Sequence, residues 1–402
     1  MRTIFALVLS VLFFGGCISI QHIEVQDFET ESNLTRQQGI PVTFNDIRKR
    51  LSHVVSDQNA AHFIAAITPS PEVEESIQSG LRSFTTDSAA IEQLRNAVKS
   101  QENALKQAER AGDLPGADFN RKWEKGYAVL FNEYRLAKYA ASLLISSAVV
   151  CAEDGQHDRA ILQLRRAGAI ANHILEPVAI SDLVWLAIRR IQMKTLLRIA
   201  YRHPDQPSYI RFAETQIDSW PDWKFIENLH NDLPSLLAIY ESSKTIKLAK
   251  ELLGVSAEYV AGLKDADPEP RFTEGKALII KYFREAASTL TLNDFEAEAR
   301  RSEIEERILK VLDRNPIAKR IIQDISPIFP SAMPRHNSES NRILWDQTIR
   351  FLKAPYRISE IRNVTTMTGL ELQASTAATK GGVEITVSSP TDSLIEVKFA
   401  LP

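Results

Sequence analysis

The side chains best suited to chemistry in this chain fall into four small groups. Cys151, with His157 six residues on, has the residue types of a nucleophile and its base. A reactive thiol needs that base within hydrogen-bond reach and a lowered pKa. Cys151 also falls on the apolar stripe of a helical stretch, which is the place of a small core residue. Glu153, Asp154, His157 and Asp158 gather at one turn. They have oxygens and nitrogen for a cation, and they equally suit a helix start, where acidic residues are favoured in the first turn. His230 and Asp232 follow Trp220-Pro221-Asp222-Trp223 closely. Aromatic walls with a few polar groups make a ligand cleft, and buried tryptophans at a helix corner account for the same residues. Asp265, Asp267 and Glu269 alternate as calcium-loop ligands do, without the central glycine and with Pro268 and Pro270 stiffening the chain.

Motifs with a defined mechanism are missing from the sequence. It has no glycine-rich phosphate loop, no His-Glu-x-x-His, no paired Cys-x-x-Cys and no Gly-x-Ser-x-Gly elbow. The sequence therefore nominates no catalytic, cofactor-binding or metal-binding residue. Lysine and arginine are spread among acidic residues, and no run mixes basic and aromatic side chains, so no nucleic-acid partner is expected.

The one modification site it does nominate is Cys17. Arg2 precedes an apolar run from Ile4 to Phe14, broken only by Ser10, and then Gly15-Gly16-Cys17. A basic start, an apolar segment of this length and small residues before a cut form a secretory signal. A cysteine directly after two glycines resembles the cleavage site of a bacterial lipoprotein, cut before Cys17 and lipidated on its sulfur. Phe14 stands where such sites usually carry leucine. Cleaved secretion without a lipid and an uncleaved anchor are the alternatives, the latter because Ile4 to Ile20 almost reaches the roughly 17–25 residues of a membrane span. Ile18 follows the cysteine where a signal for retention in the inner membrane would usually place aspartate, which favours the outer membrane.

Composition sets the class of the remainder. With 402 residues, 44% hydrophobic and 25% charged, the chain can bury a full core. The net charge of −3 supplies no global basic field. Only 15 glycines and 18 prolines imply long regular elements. There are two cysteines. With Cys17 lipidated, Cys151 has no partner for an internal disulfide, so packing must supply cohesion.

The pattern along the chain predicts an all-α body with a small C-terminal β-meander. Residues 1–16 are the signal, 17–42 a polar tether, 43–355 the helical domain and 356–402 the meander. Helices are expected over Asn45–Ile67, Glu72–Arg82, Ser88–Arg110, Trp123–Glu153, His157–Leu175, Ile180–Tyr201 and Tyr209–Ser219. In the second half they are expected over Leu236–Leu253, Lys276–Leu290, Asn293–Arg314 and Asn341–Lys353. Ile180–Tyr201 is the most apolar of these, interrupted by Arg189, Arg190 and Lys194, and is expected to be the central buried helix. Alternation at Leu370–Ala374, Val383–Val387 and Ile395–Leu401 predicts three antiparallel strands.

Two resemblances accompany this pattern. Leu144, Ala148 and Cys151, then Gly155, Ala160, Leu164 and Ala167, resemble one tetratricopeptide-like hairpin over residues 141–172, in which small residues let two helices close together. No 34-residue period continues it, so a regular solenoid is not expected. Asn59-Ala60-Ala61, the Ala90–Val98 helix, the Gly155 hairpin and the run from Glu176-Pro177 to Val184 resemble a group of secreted helical proteins of planctomycete-type bacteria. That resemblance implies fold and location, and no activity.

The expectation from sequence is a lipid-anchored protein of a bacterial cell envelope whose helical array holds a protein partner, since helical hairpins make concave binding surfaces. The alternative is a hydrolase-type envelope enzyme with a site assembled between helices near His230 and Asp232.

Overall fold

The computed structural model describes residues 26–49, 54–123, 131–218, 231–242, 268–289, 292, 294–311, 315, 318–319, 322–323, 333–353, 362–365, 371–379, 382–388 and 396–401. The signal segment and Cys17 lie outside the described residues. The all-α class with a small antiparallel sheet is what the structure shows.

The chain is described first as helix α1, Phe28–Gln37, started by Asp27, whose carboxylate accepts the Thr30 N–H at 2.9 Å. This corrects the expectation of a free tether over 17–42. Gly39 (φ +76°) turns the chain beyond α1 and delivers Ile40 and Val42, both buried, to an apolar cluster. Among the described residues, the single helix expected over Asn45–Ile67 is instead three short pieces: α2 (Phe44–Arg48), a 3-10 turn at Ser56–Gln58 and α3 (Ala61–Ala65). Val55 and Asn59, at either end of the 3-10 turn, have extended backbone.

Helices α4 (Pro71–Ser83), α5 (Ser88–Ser100) and α6 (Glu102–Asp113) follow, with a break at Gln101 inside the expected Ser88–Arg110 helix. Ser70 caps α4 with Pro71 as its first residue, and the Asp87 carboxylate accepts the Ala89 N–H to start α5. Next come α7 (Asn132–Glu153) and α8 (His157–His173), which close into the predicted hairpin. Gly155 (φ +75°) makes the turn: its N–H donates to Ala152 O at 3.0 Å and the Gln156 N–H to Cys151 O at 2.8 Å. Ala160, Leu164 and Ala167 are fully buried in this hairpin.

Fifteen of the 22 residues of α7 are buried, and α4, α5, α6, α8 and α9 (Ala179–Arg202) all pack on it. The central helix is therefore α7 and not the Ile180–Tyr201 stretch. The reason lies in the basic side chains of α9, which need one open face. By length and composition α7 would pass for a membrane span, but 78% of that apolar window is buried within the fold, as in a core helix.

Helix α10 (Pro207–Asp218) completes the larger apolar core. A second cluster gathers Ile40 and Val42 with α11 (Leu233–Ser242), α12 (Pro268–Ser288) and α13 (Asp294–Val311). Helix α14 (Met333–Lys353) returns to the first core.

The sheet has four strands rather than three: β1 (Arg362–Thr365), β2 (Glu371–Thr379), β3 (Gly382–Ser388) and β4 (Glu396–Leu401), antiparallel in sequence order. β1 holds only four residues and shows too little alternation to be legible as a strand. Pairings Ala374↔Val387 and Ile385↔Phe399 place the buried residues on one face. That face packs on α14, where Trp345 meets Phe399 edge-on at 5.6 Å.

Candidate functional site

Helices α4, α7 and α9 enclose a cleft of about 290 Å³. Ile77 and Leu81 of α4 and Ile191 of α9 form its apolar walls. Arg82 of α4, Lys138 of α7, and Lys194 and Arg198 of α9 bring four cations to it from three helices. Among the described residues Glu74 is the only acidic one in the lining, and it pairs at 3.5 Å with Arg135.

The local sequence explains this convergence. Arg190, Lys194 and Arg198 recur every four residues along α9, so they share one face. Like charges at this spacing destabilise a helix, and among the described residues Arg82, Lys138, Arg190 and Lys194 make no ion pair to offset it. Arg190 and Lys194 are exposed, and partial desolvation by the packed helices lowers the pKa of Lys194, with the neighbouring charges of Arg198, Arg190 and Arg82 adding to it. Partial desolvation lowers those of Arg190 and Arg198 as well.

Arg198 has a second task. Its Nη1 donates to the carbonyls of Leu81 (3.2 Å) and Arg82 (3.3 Å), in the last turn of α4. A cation there offsets the negative end of the helix dipole. One turn on, Arg202 donates to Thr85 O at 3.3 Å and forms a bidentate pair with Glu153 at 2.7 and 2.8 Å. These straps hold the α4 and α9 walls together.

Tyr139 belongs to the lining and is 1% exposed. Its hydroxyl lies by the backbone of Ser70, at the start of α4, and burial pushes the phenol pKa up. An anionic ligand would relieve the repulsion among the cations of the cleft.

The groups nominated from sequence are placed differently. Cys151 is buried, and burial raises its thiol pKa, opposite to what a nucleophile needs. His157 Nδ1 is 2.9 Å from the Tyr209 hydroxyl. Glu153 is held by Arg202, and Asp154 by a bidentate pair with Arg95 at 2.8 Å for both contacts. Among the described residues no three His, Cys, Asp or Glu side chains are arranged to hold a metal ion. His230, Trp220, Asp222 and Trp223 lie outside the described residues, as do Asp265 and Asp267. Asp232 accepts the Leu236 N–H through its carbonyl at 3.1 Å and so helps start α11. Glu269 falls in the first turn of α12.

The cleft was not picked out from sequence, although one signal was present: the four-residue spacing of Arg190, Lys194 and Arg198 inside the most apolar stretch. That Arg82 and Lys138 face the same space is a tertiary fact. Neither a protein-family model nor a curated protein nor a solved structure matches the chain.

Proposed function

We propose that the protein is a membrane-tethered binding protein of a bacterial cell envelope, held by a lipid on Cys17, whose helical body recognises an anionic partner at the cleft between α4, α7 and α9. The observation that carries the binding role is the gathering of four cations on one cleft in a chain of net charge −3. Local charge of one sign in a partly desolvated cleft raises the concentration of opposite charge there. The tether rests on the N-terminal pattern of Arg2, the apolar run and Gly15-Gly16-Cys17. Several acyl chains on that cysteine would anchor it firmly, since a single chain binds only marginally.

A crosslinked pull-down from native membranes tests both halves. Wild type is expected to fractionate with membranes and to capture one reproducible partner. Cys17→Ser should leave the membrane, and Lys194→Glu should stay in the membrane but lose the partner. A Cys17→Ser protein that remains membrane-bound would overturn the lipid anchor. A partner retained by Lys194→Glu would remove the cleft from recognition.

A further inference from the structure

We propose that the cleft between α4, α7 and α9 is a binding site for the phosphate-monoester group of a small molecule, seated between Arg82, Lys138 and Lys194. The assignment rests on the reading of this cleft as the binding site and adds the chemistry of its ligand.

Charge is the first argument. Arg82, Lys138, Lys194 and Arg198 against Glu74 leave the lining with four positive charges and one negative, a net of +3. Glu74 is itself engaged by Arg135, so it neutralises little of the cleft. A single carboxylate would compensate one cation. A phosphate monoester carries about −1.5 to −2 charges at pH 7 and has three strong acceptor oxygens. It can therefore meet cations from three directions at once.

Geometry is the second. The cations reach one cleft from three helices, whereas a row along one helix would suit an extended acidic segment. Lysine ammoniums bind phosphate as point charges without needing one fixed plane. A volume of about 290 Å³ lies at the small end of the roughly 300–1,000 Å³ typical of ligand sites. That is room for a phosphate and a short carbon group against Ile77, Leu81 and Ile191.

Calorimetric titration of the detergent-solubilised full chain tests this, with glycerol 3-phosphate, a short-chain phosphatidic acid, citrate and an acidic peptide as probes. Saturable binding of either phosphate monoester is expected. Preference between the two distinguishes a soluble ester from a lipid headgroup. Lys194→Gln and Lys138→Gln, both on accessible side chains, should each weaken binding by about tenfold or more while melting as wild type does. Unchanged phosphate affinity in both lysine variants overturns the proposal. Tighter, Lys194-dependent binding of citrate or the peptide also overturns it, while leaving the cleft as the binding site. If no probe binds, the phosphate assignment is overturned, and the binding role of the cleft then stands or falls with the Lys194-dependent partner of the pull-down.

Discussion

Arg121 and Glu176 meet across 55 residues of chain, the Arg121 Nε lying 2.7 and 2.6 Å from the two carboxylate oxygens. Their side chains are 3% and 11% exposed. Phe119, Phe131 and Tyr134 surround the guanidinium with ring centroids 4.7–5.0 Å away, and the Tyr134 hydroxyl donates to Glu176 at 2.7 Å. Glu133 accepts from Nη1 at 3.0 Å. The arginine thereby joins the segment before α7 to the turn that starts α9. Removing one member of a buried pair strands the other charge, so Arg121→Ala should cost about 3–5 kcal/mol in urea unfolding. The double variant Arg121→Met/Glu176→Leu should recover much of that loss. If the single and double variants unfold at the same urea concentration, the stranded charge is not the cause.

Helix α8 comes close to side chains of α9 at Gly168. A Cβ there would stand 2.7 Å from Arg189 Nη1 and 2.9 Å from Gln192 Nε2. Those groups are already committed: Arg189 donates to Gln192 and Gln216 at 2.7 Å, and Gln192 donates to Leu164 O at 2.6 Å. Gly168→Ala should therefore destabilise the protein by about 1–3 kcal/mol, although alanine is the better helix former. A gain in melting temperature would show that this network repacks freely.

His173 couples stability to pH. It is buried at the end of α8 with Nε2 2.9 Å from Ala111 O, and burial lowers its pKa from 6.5 against the opposing pull of the Ala111 and Leu114 backbone. Below pH 6.5 the unfolded chain takes up a proton that the folded chain refuses. The unfolded state then binds more protons, so stability falls as the pH drops from 6.5 towards the folded pKa and is complete above 6.5. His173→Asn should flatten that segment of the stability–pH curve. An unchanged slope between the variant and wild type would assign it to other groups.

Glu31 anchors the N-terminal helix to the second core. Its side chain is 2% exposed and pairs with Arg284 of α12 at 2.6 Å. Glu31→Ala would leave Arg284 without this carboxylate and should cost about 3 kcal/mol. Limited proteolysis should cut within 26–43 faster in the variant than in wild type. Equal cutting rates would mean that Ile40 and Val42 alone hold the segment.

Most helices were legible because their signals are local. Ser70-Pro71, Asp87 and Gly155 mark ends, and three-four apolar spacing marks faces; these need only the neighbouring turn. The helix α1 escaped because its docking residues, Glu31, Ile40 and Val42, find their partners on α11 and α12 more than 190 positions away. Burial of α7 over α9 escaped for a related reason. Hydropathy counts apolar side chains, whereas burial depends on how many elements surround a helix.

By itself the sequence determined the all-α class, the hairpin at Gly155, the C-terminal meander and a core position for Cys151. Each follows from periodicity or from a backbone conformation that one residue type permits. Only the tertiary structure decided which charges meet. It assigned Glu153 to Arg202, Asp154 to Arg95 and Glu176 to Arg121, and among the described residues it left Lys138 and Lys194 facing one cleft without an ion-pair partner. Charge interactions act through space and depend on the dielectric around them, so no pattern along the chain can assign their partners before the helices are packed.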